Sequence, residues 1–174
     1  MIHGDVKPSN VLLAPDGRAV LTGFGVVGST ARTGGVGAGS PEYMSPELAE
    51  GTEPGAPADV YALGVVAYEL LTGRPPHRGD TPLAVLLAHA HEPLPLPSVV
   101  EARIGEATER VLLRALARHA EDRYRSPDEL ASALERAIDL DSQRGVTAVV
   151  PLPAELRGPV RPRPLVPARL ARPG

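Results

Sequence analysis

The run Ala58-Asp59-Val60-Tyr61-Ala62-Leu63-Gly64-Val65-Val66-Ala67-Tyr68-Glu69-Leu70-Leu71-Thr72-Gly73-Arg74-Pro75-Pro76 constrains this chain more than any other stretch. It is long enough for a helix and apolar nearly all round, and Gly73 followed by prolines stops it. A helix of that kind belongs inside a core rather than on a surface. Asp59 sits at its N-terminal end, where the helix dipole favours a carboxylate, and a capping role alone would account for it. With 43% hydrophobic residues but only 3% aromatics and no Trp, the core around this helix must be built from Leu, Val and Ala. The length of 174 residues suits one domain plus a tail.

The most chemically loaded stretch lies at the start: His3-Gly4-Asp5-Val6-Lys7-Pro8-Ser9-Asn10-Val11-Leu12-Leu13. It offers a carboxylate, a cation and an amide oxygen within a few residues, braced by aliphatics. Phosphoryl transfer needs such groups, to orient a hydroxyl, to neutralise phosphate charge and to ligate a metal. Beyond it, Val11-Leu12-Leu13 and Ala19-Val20-Leu21 flank Ala14-Pro15-Asp16-Gly17-Arg18. Pro fixes φ, Asp caps and Gly accepts positive φ, so a β-hairpin is predicted. Its far end delivers Thr22-Gly23-Phe24-Gly25, and residues 26–40 are small and hydroxylated, with the composition of a flexible loop.

Downstream, Thr81-Pro82 starts a helix predicted through about His91, and Glu92-Pro93-Leu94-Pro95-Leu96-Pro97 breaks it. His89 and His91, two apart, face apart on that helix, and with no acid cluster or Cys nearby a metal site is not expected there. Ile104 to Arg118 has helical spacing, and Ser126-Pro127-Asp128-Glu129 is a capping box opening a last helix from Leu130 to about Ile138. From Asp141 onward periodicity is lost and Pro, Arg and Ala dominate, so residues 141–174 read as a disordered tail. The six Arg of that tail against Asp141 and Glu155 leave an excess of four positive charges, so residues 1–140 must carry about −7 for the total to be −3. Such tails are mostly solvated, and no nucleic-acid partner is expected. There is no Cys, no run of about 18 apolar residues and no basic-then-apolar leader, which makes a cytoplasmic location without a membrane span the default.

Four blocks in order resemble the protein kinase family. His3 to Asn10 is similar to the catalytic loop H-R-D-x-x-x-x-N, with Lys7 in the manner of the serine/threonine branch. Thr22-Gly23-Phe24-Gly25 stands where Asp-Phe-Gly is expected, 18 residues after Asp5, but Gly23 replaces the aspartate. Gly39-Ser40-Pro41-Glu42-Tyr43-Met44-Ser45-Pro46-Glu47 resembles G-T-P-x-Y-M-A-P-E, and Ala58 to Pro76 resembles the central C-lobe helix. The resemblance covers His3 to about Ile138 and implies a mainly α (α+β) kinase-like C-lobe with a small hairpin, over residues 1–140.

It further implies roles. Asp5 and Lys7 would be catalytic, with Lys7, Asn10 and Leu12 toward ATP and Asn10 toward Mg, Gly23 being unable to ligate. Ser40 would touch Asp5, Asp59 would hold the catalytic-loop backbone, and Glu47 would pair with Arg123 in the segment His119–Arg125. Ser29, Thr30 and Thr33 are candidate phosphosites, although Gly4 stands where the family's phosphate-gripping arginine belongs. The nucleotide-binding N-lobe has no counterpart in these residues. The expectation is a serine/threonine kinase relative, with protein as its substrate or docking partner, that is inactive as this chain alone. The alternatives are a non-catalytic, pseudokinase-like binding module or the remnant of a truncated kinase gene.

Overall fold

The structure, a computed structural model, describes residues 2–24, 40–52 and 55–146. It is mostly helical, with one two-stranded sheet. Strands β1 (Val11–Leu13) and β2 (Ala19–Leu21) pair antiparallel, with Val11 opposite Leu21 and Leu13 opposite Ala19. The connection is the predicted Pro-Asp-Gly turn. Gly17 takes φ +85, its N–H donates to the Ala14 carbonyl, and the Asp16 carboxylate accepts from the Arg18 amide.

Six α-helices follow among the described residues: α1 (Pro46–Ala49), α2 (Ala56–Thr72), α3 (Pro82–His91), α4 (Pro97–Val100), α5 (Glu106–Ala115) and α6 (Pro127–Gln143). The all-round apolar α2 is the axis on which the rest packs. Val60 and Val65 have no exposed surface, and Tyr61 and Tyr68 have almost none. One side of α2 joins Ala115, Tyr124 and Leu130 through Val60; the other joins Leu116 through Tyr61, Val65 and Tyr68. Gly64 lets α5 come close, since a Cβ there would lie 3.0 Å from the Cβ of Ala115. At the end of α2, Gly73 adopts φ +80 and its N–H donates to the Glu69 carbonyl, a left-handed stop that only glycine takes without strain.

The start signals read from the sequence appear as hydrogen bonds. The Thr81 hydroxyl accepts from the Ala84 amide, and the Ser126 hydroxyl accepts from Glu129. Two elements differ from expectation. The proline-rich segment does break α3, but Pro97 itself begins the short α4, because proline is favoured in a first helical turn. The last helix runs to Gln143, past the expected end near Ile138. The reason is tertiary. Asp141, only 1% exposed, reaches across to accept from the amides of Ala107 (3.2 Å) and Thr108 (2.8 Å) at the start of α5. Gly105 is the N-cap residue there, and any Cβ on it would collide with the Asp141 carboxyl.

Residues 147–174, and with them most of the expected tail, lie outside the described residues. No helix among the described residues is long and apolar enough to cross a membrane.

Candidate functional site

The first loop is fixed to the central helix by one side chain. Asp59 is buried in the first turn of α2 and accepts from the backbone amides of His3 (2.7 Å) and Gly4 (2.8 Å) through its two oxygens. Charge-assisted bonds of this kind are the strong ones, and two from one carboxylate leave the loop no freedom to rotate. His3, itself buried, makes the next connection. Its Nδ1 accepts from the Asp5 amide at 3.2 Å, so its Nε2 carries the proton and donates to the Thr22 carbonyl at 2.9 Å. The ring rests on Phe24 with centroids 4.4 Å apart. Thr22 closes the circuit by donating through both its amide and its hydroxyl to the Asn10 carbonyl.

Within this frame Asp5, Lys7 and Asn10 converge. Lys7 Nζ lies 2.8 Å from Asp5 Oδ2, and the Asn10 amide donates both to that oxygen (2.9 Å) and to the Asp5 carbonyl (2.7 Å). Asp5 and Lys7 side chains are 14% and 17% exposed, so the pair is screened by protein yet still reachable. Ser40 shares a small cavity of about 40 Å³ with Gly4, Asp5 and Val6, roofed by Tyr43 and Met44. The residues quoted for this loop in the sequence thus lie together, with Ser40 beside them. Leu12 lies one strand further on, 57% exposed. Ser29, Thr30 and Thr33 lie outside the described residues.

Gly23 meets this cluster from the far side. It has φ +86, and a Cβ on it would sit 3.0 Å from Asn10 Nδ2 and 3.3 Å from Asn10 Oδ1. A side chain at position 23 would therefore point at the Asn10 carboxamide, and glycine supplies none. Tested against a divalent metal, the residues present do not fit. Hard cations such as Mg²⁺ are held through carboxylates together with substrate phosphates, and Asn10 alone offers a neutral oxygen.

The segment after Ser40 is anchored by two side-chain contacts, both at least partly buried. Tyr43 donates to Glu69 on α2 at 2.6 Å, and burial together with that carboxylate pushes its phenol far above the usual range. Glu47 is held by Arg123 through two parallel bonds of 2.8 Å. The Arg123 side chain has no exposed surface, and its remaining donors go to the carbonyls of Ala117, Arg118 and Pro57. Burial pushes the Glu47 carboxyl up, but the bonds and charge of Arg123 more than offset it, so it sits below its ordinary value.

Behind this clamp runs a stack that the sequence does not announce. The Arg123 guanidinium lies over the Tyr61 ring at 4.8 Å, the Tyr61 hydroxyl meets His89 Nδ1 at 2.7 Å, and the His89 ring lies 4.8 Å from that of His77. The helical spacing that set His89 and His91 apart is visible here: His89 is buried and His91 exposed. His77 carried no signal of its own, being one residue of a Gly/Pro/Arg loop. Burial, helped by the neighbouring His77, lowers His89 to about 4. Because the folded value lies below that of the unfolded chain, the unfolded state binds the extra proton. This contribution is whole above pH 6.5 and is lost as the pH falls toward 4. Lowering the pH from 7 to 5 is expected to cost about 2 kcal/mol through His89. Urea midpoints at the two values, compared with those of His89→Phe, check it; an equal loss in the variant would assign the effect elsewhere.

Comparison with known proteins agrees with this geometry. The protein kinase domain family matches residues 1–144. The chain is 34% identical over 171 residues to the serine/threonine-protein kinase PknH of Mycobacterium tuberculosis (strain CDC 1551 / Oshkosh), covering 96% of this chain and 27% of that protein. It is 36% identical over 145 residues to the probable serine/threonine-protein kinase SCO3848 of Streptomyces coelicolor, covering 80% and 22%. With the probable serine/threonine-protein kinase PknB of Lactococcus lactis the figures are 32% over 179 residues, 95% and 28%. The chain spans about a quarter of the length of these relatives. It belongs to the protein kinase domain family, and what it carries of that domain is a C-lobe of the bacterial serine/threonine type.

Proposed function

We propose that this chain is the protein-substrate lobe of a serine/threonine kinase that, as 174 residues on its own, transfers no phosphate. Asp5 is the group that would orient or deprotonate a protein hydroxyl, Lys7 the group that would face the transferring phosphate, and Ser40 to Glu47 the segment against which a substrate would lie. The arrangement of Asp5, Lys7 and Asn10 inside a rigid frame supports retention of the substrate side. The observation that carries the lack of transfer is Gly23. Phosphoryl transfer relies on positioning and on metal-borne charge, and position 23 aims at Asn10 with no carboxylate to share a metal. The protein therefore serves as a binding lobe for a protein segment, in the manner of a pseudokinase. ATP, the family's nucleotide, would meet Lys7 and Leu12, while Asn10 by itself gives its Mg too few ligands to be held.

The test is Gly23→Asp. Asp tolerates the left-handed backbone better than most residues, and the Asn10 amide it would crowd is the end of a flexible side chain. The variant is expected to bind Mg-ATP at least about tenfold more tightly than the wild type in calorimetry, a gain of about 1.4 kcal/mol. Wild-type chain that phosphorylates a basic protein substrate with Mg-ATP, and loses this in Asp5→Asn, would overturn the proposal.

A further inference from the structure

An open cavity of about 470 Å³, sharing no lining residue with the one beside Asp5, is bounded by α2, the end of α3 and the end of α5. That volume falls in the range, roughly 300–1,000 Å³, of pockets that take small organic molecules. Its lining divides by chemistry. Leu94, Leu113 and Leu116 give an apolar wall, Glu92 a carboxylate and Arg118 a guanidinium, while His77 supplies a neutral imidazole. Glu92 and Arg118 are both exposed, on different elements, and are not paired with each other among the described residues. Among the described residues Arg118 pairs with Glu50 at 3.9 Å, a loose contact with both side chains more than half exposed.

His77 is the unusual member. It is 5% exposed and its ring lies 4.8 Å from that of His89, another lining residue, whose buried Nε2 has no hydrogen-bond partner among the described residues. Buried polar groups are nearly always partnered, so an imidazole held this way against a cavity is a place for a ligand group or water. Burial keeps both imidazoles below their ordinary pKa and hence neutral, each with one nitrogen that donates and one that accepts.

We infer that this cavity binds a small zwitterion with an apolar body, an apolar amino acid or short peptide. Its ammonium is matched to Glu92, its carboxylate to Arg118, and its side chains to Leu94, Leu113 and Leu116. A simple anion would meet Glu92 unpaired, and a simple cation would meet Arg118; a zwitterion uses both. The inference is independent of whether the chain transfers phosphate, because none of these residues belongs to the Asp5 cluster.

The experiment uses the full 174-residue chain and the dipeptide Leu-Leu, followed by calorimetry and by the histidine ring resonances in NMR. Saturable binding that moves the His77 signals is expected. N-acetyl-Leu-Leu, lacking the ammonium, and Leu-Leu amide, lacking the carboxylate, should each bind about tenfold more weakly, as loss of a charged hydrogen bond implies. Glu92→Gln should erase the discrimination against the acetylated form alone, and Arg118→Gln that against the amide alone. Both side chains are exposed, so neither change threatens the fold. Absence of a saturable His77 shift, or indifference to either blocked form, overturns the inference.

Discussion

Replacing Arg123 with Met is expected to cost about 3–5 kcal/mol of stability, a large part of what holds a domain of this size together. The side chain is fully enclosed and serves five acceptors at once: both oxygens of Glu47 and the carbonyls of Ala117, Arg118 and Pro57. Removing it strands a carboxylate that is only 23% exposed and leaves buried carbonyls without donors. Methionine fills most of the volume, so the loss measures the polar contacts rather than a cavity. Glu47→Gln, which keeps an acceptor in place, should lose less. The check is urea denaturation of both single variants and of the pair Glu47→Met with Arg123→Met. If the pair is more stable than Arg123→Met alone, the stranded charge is the dominant cost, since apolar replacement of both partners of a buried ion pair is often tolerated. A loss below about 1 kcal/mol in Arg123→Met would show that the clamp is ornamental, of the order of an exposed ion pair.

Asp59→Ala is the second large effect, expected at about 2–4 kcal/mol. Each amide that Asp59 receives, from His3 and from Gly4, would be left without a partner beside a buried helix turn. Asp59→Asn should recover only part of this, because its NH₂ group would face an N–H donor where an oxygen now accepts. The result goes beyond stability. The His3 ring is placed by the same loop and holds both the Asp5 amide and the Thr22 carbonyl. In NMR, Asp59→Ala should therefore move the signals of Asp5, Thr22 and Phe24 together. A variant that loses stability but keeps those signals in place would limit Asp59 to capping its own helix.

How much of this was legible beforehand depended on whether the signal was local. The hairpin was readable because Pro-Asp-Gly specifies its own turn. The central helix was readable because an unbroken apolar run has one sensible location. The starts of α3 and α6 were readable because Thr81 and Ser126 bond amides three residues on. The end of α6 was not. After Ile138 the chain reads Asp-Leu-Asp, which looks like the edge of a tail. Asp141 belongs to the fold only because of amides on another helix, a fact with no trace in local pattern.

The site divides the same way. Asp5, Lys7 and Asn10 lie within one loop and could be grouped by spacing. Asp59 with His3 and Glu47 with Arg123 are separated by 56 and 76 positions, and no periodicity connects them. Only the family resemblance joined them in advance. The stack from Arg123 through Tyr61 and His89 to His77 had neither kind of signal. It arises where α2, α3 and two connecting segments meet.

The Asp141 contact also has a dynamic meaning. Helix ends ordinarily fray independently, each terminal turn opening on its own. Here the last turn of α6 and the first turn of α5 share one carboxylate across 33 and 34 positions of chain. A fluctuation that unwinds the C-terminal end must uncover the amides of Ala107 and Thr108 at the same moment. The two helices thus open as a single unit, and hydrogen exchange at the start of one reports on unravelling at the end of the other.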